Sequence, residues 1–107
     1  MRKAAVIGGG AAGMMTAVLA AGEKTEIHLY EKNEKLGKKL FITGKGRCNV
    51  LNDCGPEDVL KHVPTGGRFL YSSVFGFPPE AAKDFFEEIG VPLKRERGDR
   101  VFPCLLY

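Results

Sequence analysis

The chain has 107 residues, enough for one small domain with a modest core. Its composition, 44% apolar and 27% charged, is ordinary for a globular protein, and its net charge of +3 is too small to indicate nucleic acid by itself. Cys48, Cys54 and Cys104 are odd in number and lack a CxxC pair, which suits reduced cytosolic thiols rather than a disulfide framework or a zinc site.

The first element is Ala4–Ile7, a short apolar run with no polar face, as expected of a strand buried on both sides of a parallel sheet. Gly8-x-Gly10-x-x-Gly13 follows at once, and Met14–Ala21 continues with small, apolar helix formers up to Gly22. Thr25–Tyr30 is rich in strand formers, and Glu31 closes it. This is the fingerprint of a dinucleotide-binding β-α-β unit: a tight turn at Gly8, pyrophosphate approach at Gly10, and close helix packing at Gly13. The phosphates would sit at the helix N-terminus, where free N–H groups and the dipole favour negative charge. Glu31, about twenty residues further on, suits the ribose hydroxyls and argues against a 2′-phosphate, so the expected ligand is FAD or NAD rather than NADP.

The same N-terminus imitates an export signal, with Arg2 and Lys3 before an uncharged stretch from Ala4 to Gly22. The spacing of its glycines has no explanation in a signal peptide, so the reading is a soluble, cytoplasmic chain with no membrane contact. A first strand of this kind belongs in the middle of a sheet of about six strands. One parallel neighbour is evident here, so either the chain is a truncated piece of a larger enzyme or a partner completes the sheet; truncation is the expectation.

Lys32–Asn52 has little periodicity and many basic residues. It reads either as a solvated loop or as a loop that wraps a polyanionic cofactor, with Thr43-Gly44-Lys45-Gly46-Arg47 offering backbone N–H groups and two cations. Cys48 beside Arg47 can be reactive. No second cysteine is suitably spaced in the sequence, so packing or simple cofactor contact is its expected role.

Asp53–Val63 reads as a short helix, with Pro56 in its first turn and Pro64 stopping it. His62 is expected at a solvated helix end. Arg68–Phe75 reads as another short helix, with Phe69, Leu70 and Phe75 packing inward. Pro78–Ile89 is the clearest later helix, with an apolar stripe of Ala81, Ala82, Phe85, Phe86 and Ile89. Leu93–Arg97 and Arg100–Phe102 flank Gly98-Asp99, a two-residue hairpin signal. Lys94, Arg95, Arg97 and Arg100 read as the wet face of that hairpin.

Glu31-Lys32-Asn33, Leu36-Gly37-Lys38-Lys39-Leu40 and Thr43-Gly44-Lys45-Gly46-Arg47-Cys48-Asn49 together resemble the BaiN-like (YhiN-type) NAD(P)/FAD-dependent oxidoreductase family. The resemblance continues through Phe85-Phe86-Glu87-Glu88 and Gly90-Val91-Pro92-Leu93 to Arg100-Val101-Phe102-Pro103. It departs at Leu51, where the family has threonine before asparagine, and after Pro103, where the family continues through a polar turn into another helix. The resemblance implies FAD, with Gly8, Gly10, Ala11, Ala12 and Gly13 around the pyrophosphate, Glu31 on the ribose and Lys32 flanking the adenosine. It places Lys39, Gly44, Gly46, Arg47, Cys48 and Asn49 toward the flavin half.

The expected fold class is therefore α/β: a Rossmann-like β-α-β unit, part of a doubly wound parallel sheet, followed by short helices and a β-hairpin. The expected function is the FAD-binding portion of a flavin-dependent oxidoreductase acting on a small-molecule substrate, with NAD(P)H as electron donor and no metal. No catalytic acid or base is identified; His62, Tyr30 and Tyr71 are candidates on side-chain chemistry only. The rival reading is a non-catalytic nucleotide- or RNA-binding module using Lys32–Arg47. Glu31 speaks against it, as does the single aromatic, Phe41, in that loop, too few for a stacking platform.

Overall fold

A computed structural model describes residues 1–43 and 47–104. The chain divides into two compact units, Met1–Gly46 and Arg47–Tyr107.

In the first unit, β1 (Arg2–Ile7) and β2 (Thr25–Tyr30) pair in parallel, with Arg2 opposite Thr25 and Ile7 opposite Tyr30. Parallel strands need a crossover, and α1 (Ala11–Ala20) supplies it. It packs on both strands. The close packing has a definite cause: a Cβ on Gly13 would lie 1.8 Å from the Gly8 carbonyl oxygen. The expected β-α-β unit is thus present.

β1 is not buried as expected; Val6 is half-buried and Ile7 is 80% exposed. Burial on both faces needs a layer on each side, and the sheet of this unit has two strands with α1 packed on them. Within Lys32–Asn52, residues 37–42 are more ordered than the pattern suggests. Gly37, at φ +67°, turns the chain into α2 (Lys38–Ile42), and its N–H donates to the Gly9 carbonyl at 2.8 Å. A helix of five residues is too short to leave a periodic signal.

In the second unit, β3 (Leu51–Asn52), β4 (Leu93–Glu96) and β5 (Arg100–Pro103) form an antiparallel sheet in the order β3-β5-β4. Leu51 faces Val101, and Leu93 faces Pro103. The core lies on the central strand: Val101 and Phe102 are 1% and 6% exposed. The predicted helices form with shorter bounds, as α3 (Pro56–Lys61), α4 (Tyr71–Gly76) and α5 (Pro79–Glu88). α5 packs on β3 and β4 with half-buried Ala81, Ala82, Phe85 and Phe86 facing inward.

Three aromatic or apolar placements differ from the sequence reading. Phe69 is 88% exposed, because it falls in a turn before α4, closed by its N–H to the Gly66 carbonyl. Phe75 is at the surface, stacked on Tyr71 with ring centroids 4.4 Å apart. Ile89 caps α5 rather than continuing its stripe, and is 59% exposed. The hairpin loop is also one residue longer than expected. Glu96 pairs with Arg100, so Arg97–Asp99 form a three-residue connection, with Gly98 at φ +75° and Asp99 at φ +58°.

Candidate functional site

The chain reverses at Gly8, whose φ of +102° is a conformation that L side chains rarely adopt. Its N–H donates to the Tyr30 carbonyl at 2.8 Å, holding the turn against the end of β2. Gly10 then caps α1 in an extended conformation, with no side-chain cap among the described residues. The next residues, Ala11, Ala12 and Gly13, carry the first N–H groups of the helix, which have no intrahelical acceptor. The first turn contains no acidic residue. The end of α1 is therefore open to an anion.

The glycines divide by what requires them. A Cβ at Gly13 would strike the Gly8 backbone, and one at Gly9 would lie 2.4 Å from Leu36 and 3.3 Å from Glu31. A Cβ at Gly10 would meet no described atom within 4 Å. Gly13 and Gly9 thus serve the fold, while Gly10 keeps a space beside the helix terminus that no described residue fills.

Glu31, half-buried at the end of β2, is fixed by three donors. The Gly9 N–H donates to Oε1 at 2.8 Å, and the Asn33 N–H and Nδ2 both donate to Oε2 at 2.8 Å. The Asn33 and Gly9 amides, aided by the charge of Lys32, hold its carboxyl below the usual glutamate range. Each oxygen can accept two bonds, so Oε2 is saturated and Oε1 keeps one acceptor position. Sequence reasoning found Glu31 but not its brace. Gly9 and Asn33 left no signal beyond adjacency to residues already singled out.

Lys32 and Lys39 are exposed, Lys39 on α2. In the same unit Asn33, Glu34, Leu36, Phe41 and Ile42 line a cavity of about 510 Å³. Gly44 and Gly46, with Lys45 between them, lie outside the described residues. Arg47, Cys48 and Asn49 begin the second unit and are exposed. There the Arg47 guanidinium donates to Glu96 at 2.6 Å and lies 3.9 Å from the centroid of the Phe102 ring. That ion pair holds the Glu96 carboxyl below its ordinary value. Cys48 shares a cavity with Cys104, a cysteine that sequence reasoning did not connect to it.

The hairpin cations Lys94, Arg95, Arg97 and Arg100 are all exposed, as expected of a wet face. Arg95 bonds Asp99, and Asp53 lies 3.1 Å from the Lys83 Nζ and 3.8 Å from Arg95. His62 caps α3, its Nδ1–H donating to the Asp58 carbonyl at 2.7 Å, and is exposed as expected. Tyr30 and Tyr71 are 57% and 56% exposed. Among the described residues no helix is long and apolar enough to cross a membrane.

Comparison with known proteins agrees with this fold. The profile of the HI0933-like protein Rossmann domain matches residues 2–105. The chain is 30% identical to the 3-dehydro-bile acid delta(4,6)-reductase of Clostridium scindens, over 96% of this chain and 25% of that protein. It is 41% identical to the ribosomal RNA dihydrouridine synthase of Escherichia coli K12, over 46% of this chain and 12% of that protein. The chain thus spans about a quarter of the length of the first of these relatives.

Proposed function

The chain belongs to the HI0933-like Rossmann domain family, and on that premise we propose that it is the FAD-binding portion of a flavin-dependent NAD(P)/FAD oxidoreductase. The observation that carries the reading is the space at Gly10, beside N–H groups at the start of α1 that have no acceptor among the described residues. A pyrophosphate matches that space in charge and in its need for close backbone approach.

Gly8, Gly10, Ala11, Ala12 and Gly13 would receive the pyrophosphate. Glu31 would accept a ribose hydroxyl at the open position on Oε1, while its other bonds keep the carboxylate still. Lys32 would flank the adenosine. Lys39, Gly44, Gly46, Arg47, Cys48 and Asn49 would serve the flavin half. Bound FAD supplies hydride or electron transfer, and the protein's part is to bind and orient it. NAD(P)H is the proposed electron donor and a small molecule the substrate. The names of both relatives describe reductions, which supports a reductive reaction here. The three free thiols suit a cytoplasmic location.

A second reading concerns the substrate: the Escherichia coli relative is named for ribosomal RNA, which makes RNA the alternative to a small molecule. One measurement addresses both readings. The absorbance spectrum of the purified chain is taken before and after adding FAD and removing the excess. Retained flavin bands near one equivalent, lost in Gly10→Val, support the assignment; flavin content unchanged by Gly10→Val overturns it. A nucleic-acid band that survives purification favours the RNA reading.

A further inference from the structure

Cys48 and Cys104 are far apart in sequence, yet both line one cavity of about 290 Å³ within the unit Arg47–Tyr107. The sheet brings them there. β3 and β5 are antiparallel, so Cys48, three residues before β3, and Cys104, the residue after β5, lie toward the same end of that pair. Ahead of β3 the Val50 N–H donates to the Val101 carbonyl at 2.9 Å, and after β5 the Cys104 N–H donates to the Pro92 carbonyl, on the β4 side, at 2.8 Å.

We propose that Cys48 and Cys104 form a dithiol site that reacts with a low-molecular-weight disulfide, such as oxidised glutathione, to close an intramolecular disulfide. Cys48 is the exposed member and takes the first step. Its thiolate attacks one sulfur of the small disulfide, whose S–S bond breaks as the bond to Cys48 forms. The departing thiolate takes up a proton. The Cys104 thiolate then attacks the Cys48 sulfur and expels the second small thiolate, which is also protonated. The protein dithiol loses two electrons and two protons, and the small disulfide becomes two thiols. Arg47, Lys94 and Glu96 border the same cavity; Arg47 is paired with Glu96, and Lys94 offers a cation where negative charge passes between sulfurs.

Cys54 does not compete on equal terms. It lines a separate cavity with Asp58 and Asp99, and burial together with Asp58, Asp99 and Asp53 pushes its thiol up. It forms thiolate less readily and exchanges more slowly.

The test uses the full chain, reduced and then treated with oxidised glutathione under folding conditions and, in parallel, in concentrated urea. Digestion at Arg47 and before Asp53 separates the three cysteines for mass mapping. The folded chain is expected to give a Cys48–Cys104 cross-link with Cys54 free. The urea sample should favour Cys48–Cys54, because the shorter loop closes at lower entropic cost. In Cys104→Ser, glutathione should remain attached at Cys48. The proposal is overturned by the same product distribution in both conditions, by separate glutathione adducts, or by cross-links between chains. No flavin enters the mapping, so its outcome is separate from that of the assignment above.

Discussion

The Gly9 N–H donates to Glu31 Oε1 at 2.8 Å, tying the glycine turn after β1 to the end of β2. The fingerprint is therefore closed on itself: the acid that would face the ribose also holds the turn that would face the phosphates.

This brace gives Glu31 a pH signature. Its folded-state value is depressed, so its contribution is complete above the ordinary glutamate value of about 4.3 and is lost as pH falls through the depressed folded value. Glu31→Gln places an amide against the Asn33 donors. Wild-type melting temperature should fall across that acid window, and the component should be missing in the variant. Thermal melts between neutral and acid pH check it; parallel curves for the two proteins would remove Glu31 as the source.

Alanine at two glycines should act in opposite ways. Gly13→Ala drives a Cβ into the Gly8 carbonyl and should cost about 2–3 kcal/mol, as overpacking does. Gly10→Ala meets no described atom and should change stability by less than about 0.5 kcal/mol. Urea unfolding of both variants gives the comparison. Equal destabilisation would mean that Gly10 is also held by the fold.

Val101 carries the core of the second unit, so Val101→Ala should cost about 2 kcal/mol through lost burial and the cavity left behind. Denaturant unfolding measures it. A loss below about 0.5 kcal/mol, the range of surface substitutions, would show that the β3-β5-β4 sheet is stabilised elsewhere.

Asp53 links α5 to the sheet through Lys83 Nζ at 3.1 Å. Asp53→Asn should cost about 1 kcal/mol at low salt and less at high salt. Melts at two ionic strengths suffice, and a loss independent of salt would point to a packing effect instead.

The β-α-β unit was legible because each of its parts has its own chemical reason, and β2 forms over the predicted residues Thr25–Tyr30. α2 was not, because five residues are too few for a periodic signal and the bond from Gly37 to Gly9 that leads into it is main-chain, which leaves no mark on side-chain pattern. Phe69 was misplaced for a related reason: helical spacing predicts a face only where the helix exists, and α4 starts at Tyr71. Phe75 lies within α4 but stacks on Tyr71 at the surface. Glu31 was named for its distance from the glycines. Its three donors depend on how the chain after β2 folds back, which no spacing encodes. Cys104 was invisible as a neighbour of Cys48 because the pairing of β3 with β5 joins distant segments.

The contrast between Gly10 and Gly13 has an evolutionary consequence. Selection for folding alone would keep position 13 as glycine and leave position 10 free to drift. In a lineage that abandoned the ligand, alanine and serine would accumulate at position 10 first, with the fold intact. The two positions together are an internal gauge, within one turn of chain, of whether natural selection still acts on what the domain binds.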